Sequence, residues 1–123
     1  MSKKPSQERR GDPRLEKNVP IKICLDNGDV VTQTGNISRS GVYCRVTRPI
    51  DPMTKLKVHL LIPEKTSKSA TKKISCKGVV VRVEEIFGED AYNIAIFFND
   101  ISARDAERIA DYISNLLEET KTT

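Results

Sequence analysis

From Val19 onward, apolar and polar side chains alternate with a period of two. Ile21, Ile23 and Leu25 alternate with Lys22 and Cys24, which predicts a half-buried strand. Asp26-Asn27-Gly28-Asp29 follows, and because Asn-Gly tolerates positive φ it predicts a hairpin turn. Val30–Thr34 then returns as a second strand, and Gly41–Thr47 forms a third with Val42, Cys44 and Val46 on one face. Pro49 and Pro52 mark the next turn. In Lys55–Ile62 the residues Leu56, Val58, Leu60 and Ile62 point inward and Lys55, Lys57 and His59 outward. Pro63–Thr71 is a polar, Ser/Lys/Thr-rich loop. Lys73–Val83 reads as another strand, with Val79, Val81 and Val83 alternating. Gly88-Glu89-Asp90 is a turn, and Ala91–Phe98 is the last strand, with Tyr92, Ile94, Ile96 and Phe98 on one face.

The period then changes. Ser102-x-x-Asp105 resembles a capping box, and Ala106, Ile109, Ala110, Ile113, Leu116 and Leu117 recur at helical spacing. This predicts one amphipathic helix ending near Glu119, whose stripe either closes the β-structure or binds a partner. Six or seven short strands followed by one helix argue for a mainly β chain, a small antiparallel β-barrel with a C-terminal α-helix. Residues 1–18 hold few apolar side chains and include Pro5, Gly11 and Pro13, so they read as a flexible arm. The chain thus divides into an arm, 1–18, and a barrel with its helix, 19–119.

Composition narrows the function. The 123 residues are enough for one domain with a real core, needing neither metal nor disulfide. No apolar run approaches the ~20 residues of a membrane span. Met1–Arg14 is polar and charged, so no signal peptide is expected and the chain reads as cytoplasmic. Residues 1–83 carry 18 Lys/Arg against 7 Asp/Glu, whereas residues 84–123 carry 3 against 10. A basic part beside an acidic one suits a localised anion site better than a nucleic-acid coat, and aromatics at 5% with no Trp weaken a base-stacking platform. Cys24, Cys44 and Cys76 form no C-x-x-C pair, and His59 is the only histidine, so no metal or cofactor is expected. The thiols read as reduced residues in or beside the core. No nucleophile–base set can be built without that one His, which lies on the polar face of a strand, and neither phosphate-binding glycine motif occurs, so no enzyme is expected.

Two short motifs remain: Arg9-Arg10-x-x-x-Arg14 in the arm, and Asn36-Ile37-Ser38-Arg39-Ser40-Gly41 in the turn before the third strand. Each alone is weak, since basic tails and Asn/Ser/Gly turns are common. Together they fit one ligand type. Arginine forks onto phosphate or a guanine edge and stacks on bases. Asn36 can accept from a base edge, Ser38 can donate to a phosphate oxygen, and Gly41 permits close approach. An arginine arm over a polar strand edge suits a guanine nucleotide.

On these residues the chain resembles the PilZ domain family of cyclic di-GMP receptors. The family signature is R-x-x-x-R followed by [D/N]-x-S-x-x-G, matched by Arg10–Arg14 and Asn36–Gly41. Lys77-Gly78-Val79-Val80-Val81-Arg82 resembles the family's G-x-V-x-R strand, and the strand Tyr92–Phe98 and the helix from Ser102 resemble its last strand and closing helix. The resemblance spans about Gln7–Leu117. It implies a six-stranded barrel with cyclic di-GMP wrapped by the arm. Arg10 and Arg14 would grip phosphates and guanine, Asn36 would read a guanine edge, Ser38 would bond phosphate or base, and Gly41 would be the close-approach glycine. Arg9 would be associated with binding two ligand molecules. The family often has Asp where this chain has Asn36, and an amide oxygen accepts less strongly than a carboxylate. Arg39 would be an extra cation or point to solvent, and Arg82 would line the same face or sit on the barrel surface.

The expected function is a receptor and adaptor. Ligand binding orders the arm and presents a new surface to an unidentified downstream protein. The length leaves no room for a second domain, so a stand-alone sensor is expected. The alternatives are an interaction adaptor of the same fold that binds no nucleotide, and a nucleic-acid-binding barrel.

Overall fold

The computed structural model describes residues 15–63 and 71–122, the side chains of 118–122 excepted. Among these residues six strands, β1 (Pro20–Leu25), β2 (Gly28–Ser38), β3 (Gly41–Val46), β4 (Lys55–Pro63), β5 (Thr71–Glu85) and β6 (Tyr92–Asp100), precede one helix, α1 (Ala103–Thr122). Every neighbouring pair is antiparallel, and the sheet closes in the order β1-β2-β3-β6-β5-β4. Closure removes the unpaired edges that an open sheet would present. The six-stranded antiparallel barrel with its C-terminal helix is the architecture expected from the sequence.

The β1–β2 hairpin turns at Asp26-Asn27, with Leu25 paired to Gly28. Gly28 sits at φ +126, a conformation that a side chain would strain. The period-two pattern fills the barrel as read. Ile21, Ile23, Val58, Leu60, Ile74 and Ile94 are fully buried, and Val42, Cys44 and Val46 line β3's inner face. Ser102 Oγ accepts from the Asp105 backbone N–H at 3.1 Å and so caps α1. Ile109 and Ile113 of the helix join the barrel core, so the helical stripe serves the domain's own interior. Burying each such side chain contributes about 1.5–3 kcal/mol. The helix is not long and apolar enough to cross a membrane.

The structure departs from the sequence reading at three places. Asn36, Ile37 and Ser38 belong to β2 and not to the following turn, because β2 runs to Ser38 and pairs with β3 up to Gly41. On β5 the inward residue is Val80, fully buried, while Val81 is half exposed. The phase is set upstream by Ile74, Cys76 and Gly78, and an irregularity after Val80 resets it. Third, residues 15–18 are bound to the barrel rather than forming part of a free arm. Leu15 and Ile37 exchange backbone hydrogen bonds of 3.1 and 3.0 Å. Buried Thr34 donates its hydroxyl to Lys17 O at 2.5 Å and accepts from Val19 N–H at 3.0 Å, while Asn18 Nδ2 donates to Thr34 O at 2.7 Å. The rest of the expected arm, residues 1–14, lies outside the described residues, as does most of the loop after β4.

The three cysteines are free, Cys44 and Cys76 buried and Cys24 half-buried. Burial pushes the Cys44 and Cys76 thiols up to about 12. Near pH 8, a thiol-exchange reagent should therefore label at most one cysteine per chain rapidly, and all three in denaturant. Rapid labelling of two in the folded protein would contradict the packing described.

Candidate functional site

The outer wall of β2, β3, β6 and β5 owes its composition to two β-bulges. Between β2 and β3 the register runs Thr34↔Cys44 and then Asn36↔Tyr43, which makes Gly35 an extra residue. Strict alternation from the buried Thr34 would carry Asn36 inward. The bulge shifts the phase by one, so that Ile37 enters the core and Asn36 faces out. β5 repeats the device. Its register to β6 runs Val80↔Ile96 and then Arg82↔Ala95, leaving Val81 as the extra residue and Arg82 outside.

Tyr43 pairs with Ala95, so these registers join into one lateral row across four strands: Asn36, Tyr43, Ala95, Arg82. Neighbouring strands lie about 4.8 Å apart, so the row spans roughly 14 Å. Ala95 is its smallest member. A hollow of about 530 Å³ opens over it, bounded by Asn36, Tyr43, Val81 and Arg82. A second hollow of about 130 Å³ adjoins it toward Ser38, Ser40, Gly41 and Phe97. The larger volume falls within the range of small-ligand sites. The surface offers one cation, one amide, one phenol and the exposed apolar faces of Val81 and Phe97.

Glu84 links two members of the row. Tyr43 Oη donates to Glu84 Oε1 at 2.6 Å, and Arg82 Nε lies 3.2 Å from Glu84 Oε2. The hydrogen bond to Glu84 raises the Tyr43 hydroxyl above its ordinary range, with smaller upward contributions from burial and the Glu84 charge; Arg82 pulls the other way. Close by, Arg45 is paired with Glu89.

The structure brings together Asn36, Ser38, Gly41 and Arg82 of the expected site. Ser38 is buried, and its hydroxyl organises the β2–β3 turn: it accepts from the Ser40 N–H at 3.3 Å and donates to Gly41 O at 3.4 Å. Gly41's close approach is to the barrel's own backbone, since a Cβ there would lie 2.3 Å from Ile96 O. Arg39 is exposed at the turn. Arg9, Arg10 and Arg14 lie outside the described residues. The chain that follows Arg14 is nevertheless anchored at the site, because Leu15 bridges Ile37, between Asn36 and Ser38. Sequence reasoning missed Tyr43, Val81, Ala95, Phe97 and Glu84. Tyr43's outward phase was legible between Val42 and Cys44, but the register joining it to Asn36 and Ala95 was not.

Comparison with known proteins identifies the family and the fold. The family model for the PilZ domain matches residues 8–115. A search of curated protein sequences returns no match. Among solved structures, the Bacillus subtilis inhibitor of motility MotI/DgrA superposes with a TM-score of 0.79 at 18% identity, over 90% of this chain and 52% of that one. The chain thus spans about half the length of that relative. The PilZ domain of YcgR from Escherichia coli, solved with cyclic di-GMP, superposes with a TM-score of 0.64 at 11% identity, over 93% of this chain and 95% of that one. At these identities the two likenesses establish the fold.

The backbone contact at Gly41 gives a direct check on the site's frame. Gly41→Ala should destabilise the barrel by about 1–3 kcal/mol in urea unfolding, because the new methyl group meets a strand backbone that has no room to yield. A loss below about 0.5 kcal/mol would mean that β3 and β6 are not packed as described.

Proposed function

Because the chain belongs to the PilZ domain family, we propose that it is a receptor for cyclic di-GMP, binding the nucleotide on the row Asn36–Tyr43–Ala95–Arg82 beneath its N-terminal arginines. The observation that carries this reading is the pair of bulges, which turns Asn36 and Arg82 outward onto one wall beside the anchored Leu15.

The roles follow from chemistry and reach. Guanine presents N–H donors on its Watson–Crick edge, and the Asn36 amide oxygen accepts from them. Among the described residues the Asn36 side chain makes no hydrogen bond of its own that would compete. Arg82 faces the same hollow and pairs with a phosphodiester, while Arg39 is a further cation, exposed on the β2–β3 turn. Arg14 directly precedes Leu15, and Arg10 lies five residues before it, within about 17 Å along an extended chain. Both are therefore within reach of a ligand seated over Ala95, and in this reading Arg9 holds a second nucleotide stacked on the first. Ser38 contributes by shaping the turn from which the ligand is approached. The exposed faces of Val81 and Phe97 supply apolar area for a base.

In this reading the output is conformational. Ligand phosphates draw Arg10 and Arg14 onto the wall and order the segment ahead of Leu15, at a cost of about 2–5 kcal/mol of the gross interaction. Arm, nucleotide and barrel wall then form a composite surface for a downstream protein.

Calorimetric titration of cyclic di-GMP tests the proposal. The wild type should bind saturably, Arg10→Ala should lose at least tenfold in affinity, as expected for a charge-assisted fork worth about 1.5–3 kcal/mol, and a ratio near two ligands per chain would support Arg9's role. Absence of binding by the wild type, or equal binding by Arg10→Ala, would overturn it.

A further inference from the structure

We propose that Glu84 is a built-in competitor of the ligand: an internal anion that occupies Arg82 and sets the threshold at which an anionic nucleotide displaces it. The inference rests on the reading of the site given above and assigns it a residue that neither motif contains.

Glu84 lies two residues beyond Arg82 on β5, so both project from the outer face. Its carboxylate is held from two directions. One oxygen takes the Tyr43 hydroxyl at 2.6 Å, reaching from β3 across β6, and the other lies 3.2 Å from Arg82 Nε. Tyr43 and Arg82 are also the two side chains that flank Ala95 in the row, so the anion is pinned by the walls of the hollow itself. The Arg82 and Glu84 side chains are 65% and 47% exposed, which makes the pair a minor contributor to fold stability.

The pairing has two consequences for a phosphodiester entering the hollow. Arg82 is already neutralised, so the ligand must exchange one anion for another before it gains a cation. The Glu84 charge, if it stays, repels the phosphate within a few ångströms of where it would sit. Tyr43 makes the exchange harder, because its hydrogen bond keeps Glu84 from swinging away. Removing the Glu84 charge while keeping its shape therefore frees Arg82 and removes the repulsion together. The gain is in affinity, with no corresponding change in the fold. A purely structural role for Glu84 predicts the opposite sign.

The experiment is calorimetric titration of cyclic di-GMP into the full chain and its Glu84→Gln, Arg82→Ala and doubly substituted variants, with a tyrosine absorbance titration of the ligand-free proteins. Glu84→Gln should bind about three- to fivefold more tightly than the wild type. Its Tyr43 should titrate at lower pH, since the hydrogen bond to the Glu84 carboxylate, the largest upward influence, is weakened to one with a neutral amide and the smaller influence of the Glu84 charge is gone. In the Arg82→Ala background the gain should shrink by at least half, because part of it acts through Arg82. Unchanged or weaker binding by Glu84→Gln, beside a wild type that binds, would overturn this inference alone. A wild type that binds nothing would overturn the reading of the site and this inference with it.

Discussion

Two extra residues, Gly35 on β2 and Val81 on β5, decide what the outer wall of this barrel displays. A strand side chain can only point in or out, and a one-residue shift inverts every position after it. Upstream of each bulge the phase is fixed by the core, by Thr34 on one strand and by Ile74, Cys76 and Val80 on the other. Without the bulges, Asn36 and Arg82 would be driven into an interior that has no partners for them, at the cost of burying an amide and a charge. With them, both face outward on strands whose neighbours, Tyr43 and Ala95, complete a continuous row.

Closure of the sheet makes this arrangement rigid. The four strands of the row belong to one antiparallel barrel whose interior is filled by branched aliphatic side chains and plugged by Ile109 and Ile113 of the helix. Gly41 lets β3 lie against the β6 backbone closely enough for the row to hold together. Among the described residues, Leu15 is the first that pairs with β2, so the arginine-bearing stretch of sequence before it joins the chain at this wall. A rigid wall joined to an arginine-bearing segment is the division of labour that the proposed receptor uses.

The strands, the helix and most of the core were legible because period two and period 3.6 are properties of local sequence. The two candidate motifs were legible as residue types that together suit a guanine nucleotide and match a family signature. The bulges were not. Gly35 falls beyond the second strand as read, which ends at Thr34, and Val81 resembles an ordinary strand residue; the phase error at Val79 and Val81 follows from carrying one unbroken alternation back from Val83, which does pack against the core. Neither could sequence show that Tyr43 and Glu84 join the site, because they meet across β6 through a register that only tertiary structure sets. In the sequence Glu84 is one of two adjacent acids, Glu84-Glu85, with nothing local to single it out. The departure at residues 15–18 has a similar reason: Thr34, a polar residue in a strand, holds residues 17–19 through its buried hydroxyl.

The proposed receptor requires that Asn36, Tyr43, Ala95 and Arg82 form one ligand-contacting row. Two-dimensional ¹⁵N–¹H spectra recorded during titration with cyclic di-GMP test it most directly. The amides of these four residues should shift together and saturate at one ligand concentration, while those of Lys22 and His59, on the β1–β4 side of the barrel, stay in place. Shifts confined to the β1–β4 side, or none at all at saturating nucleotide, would contradict it.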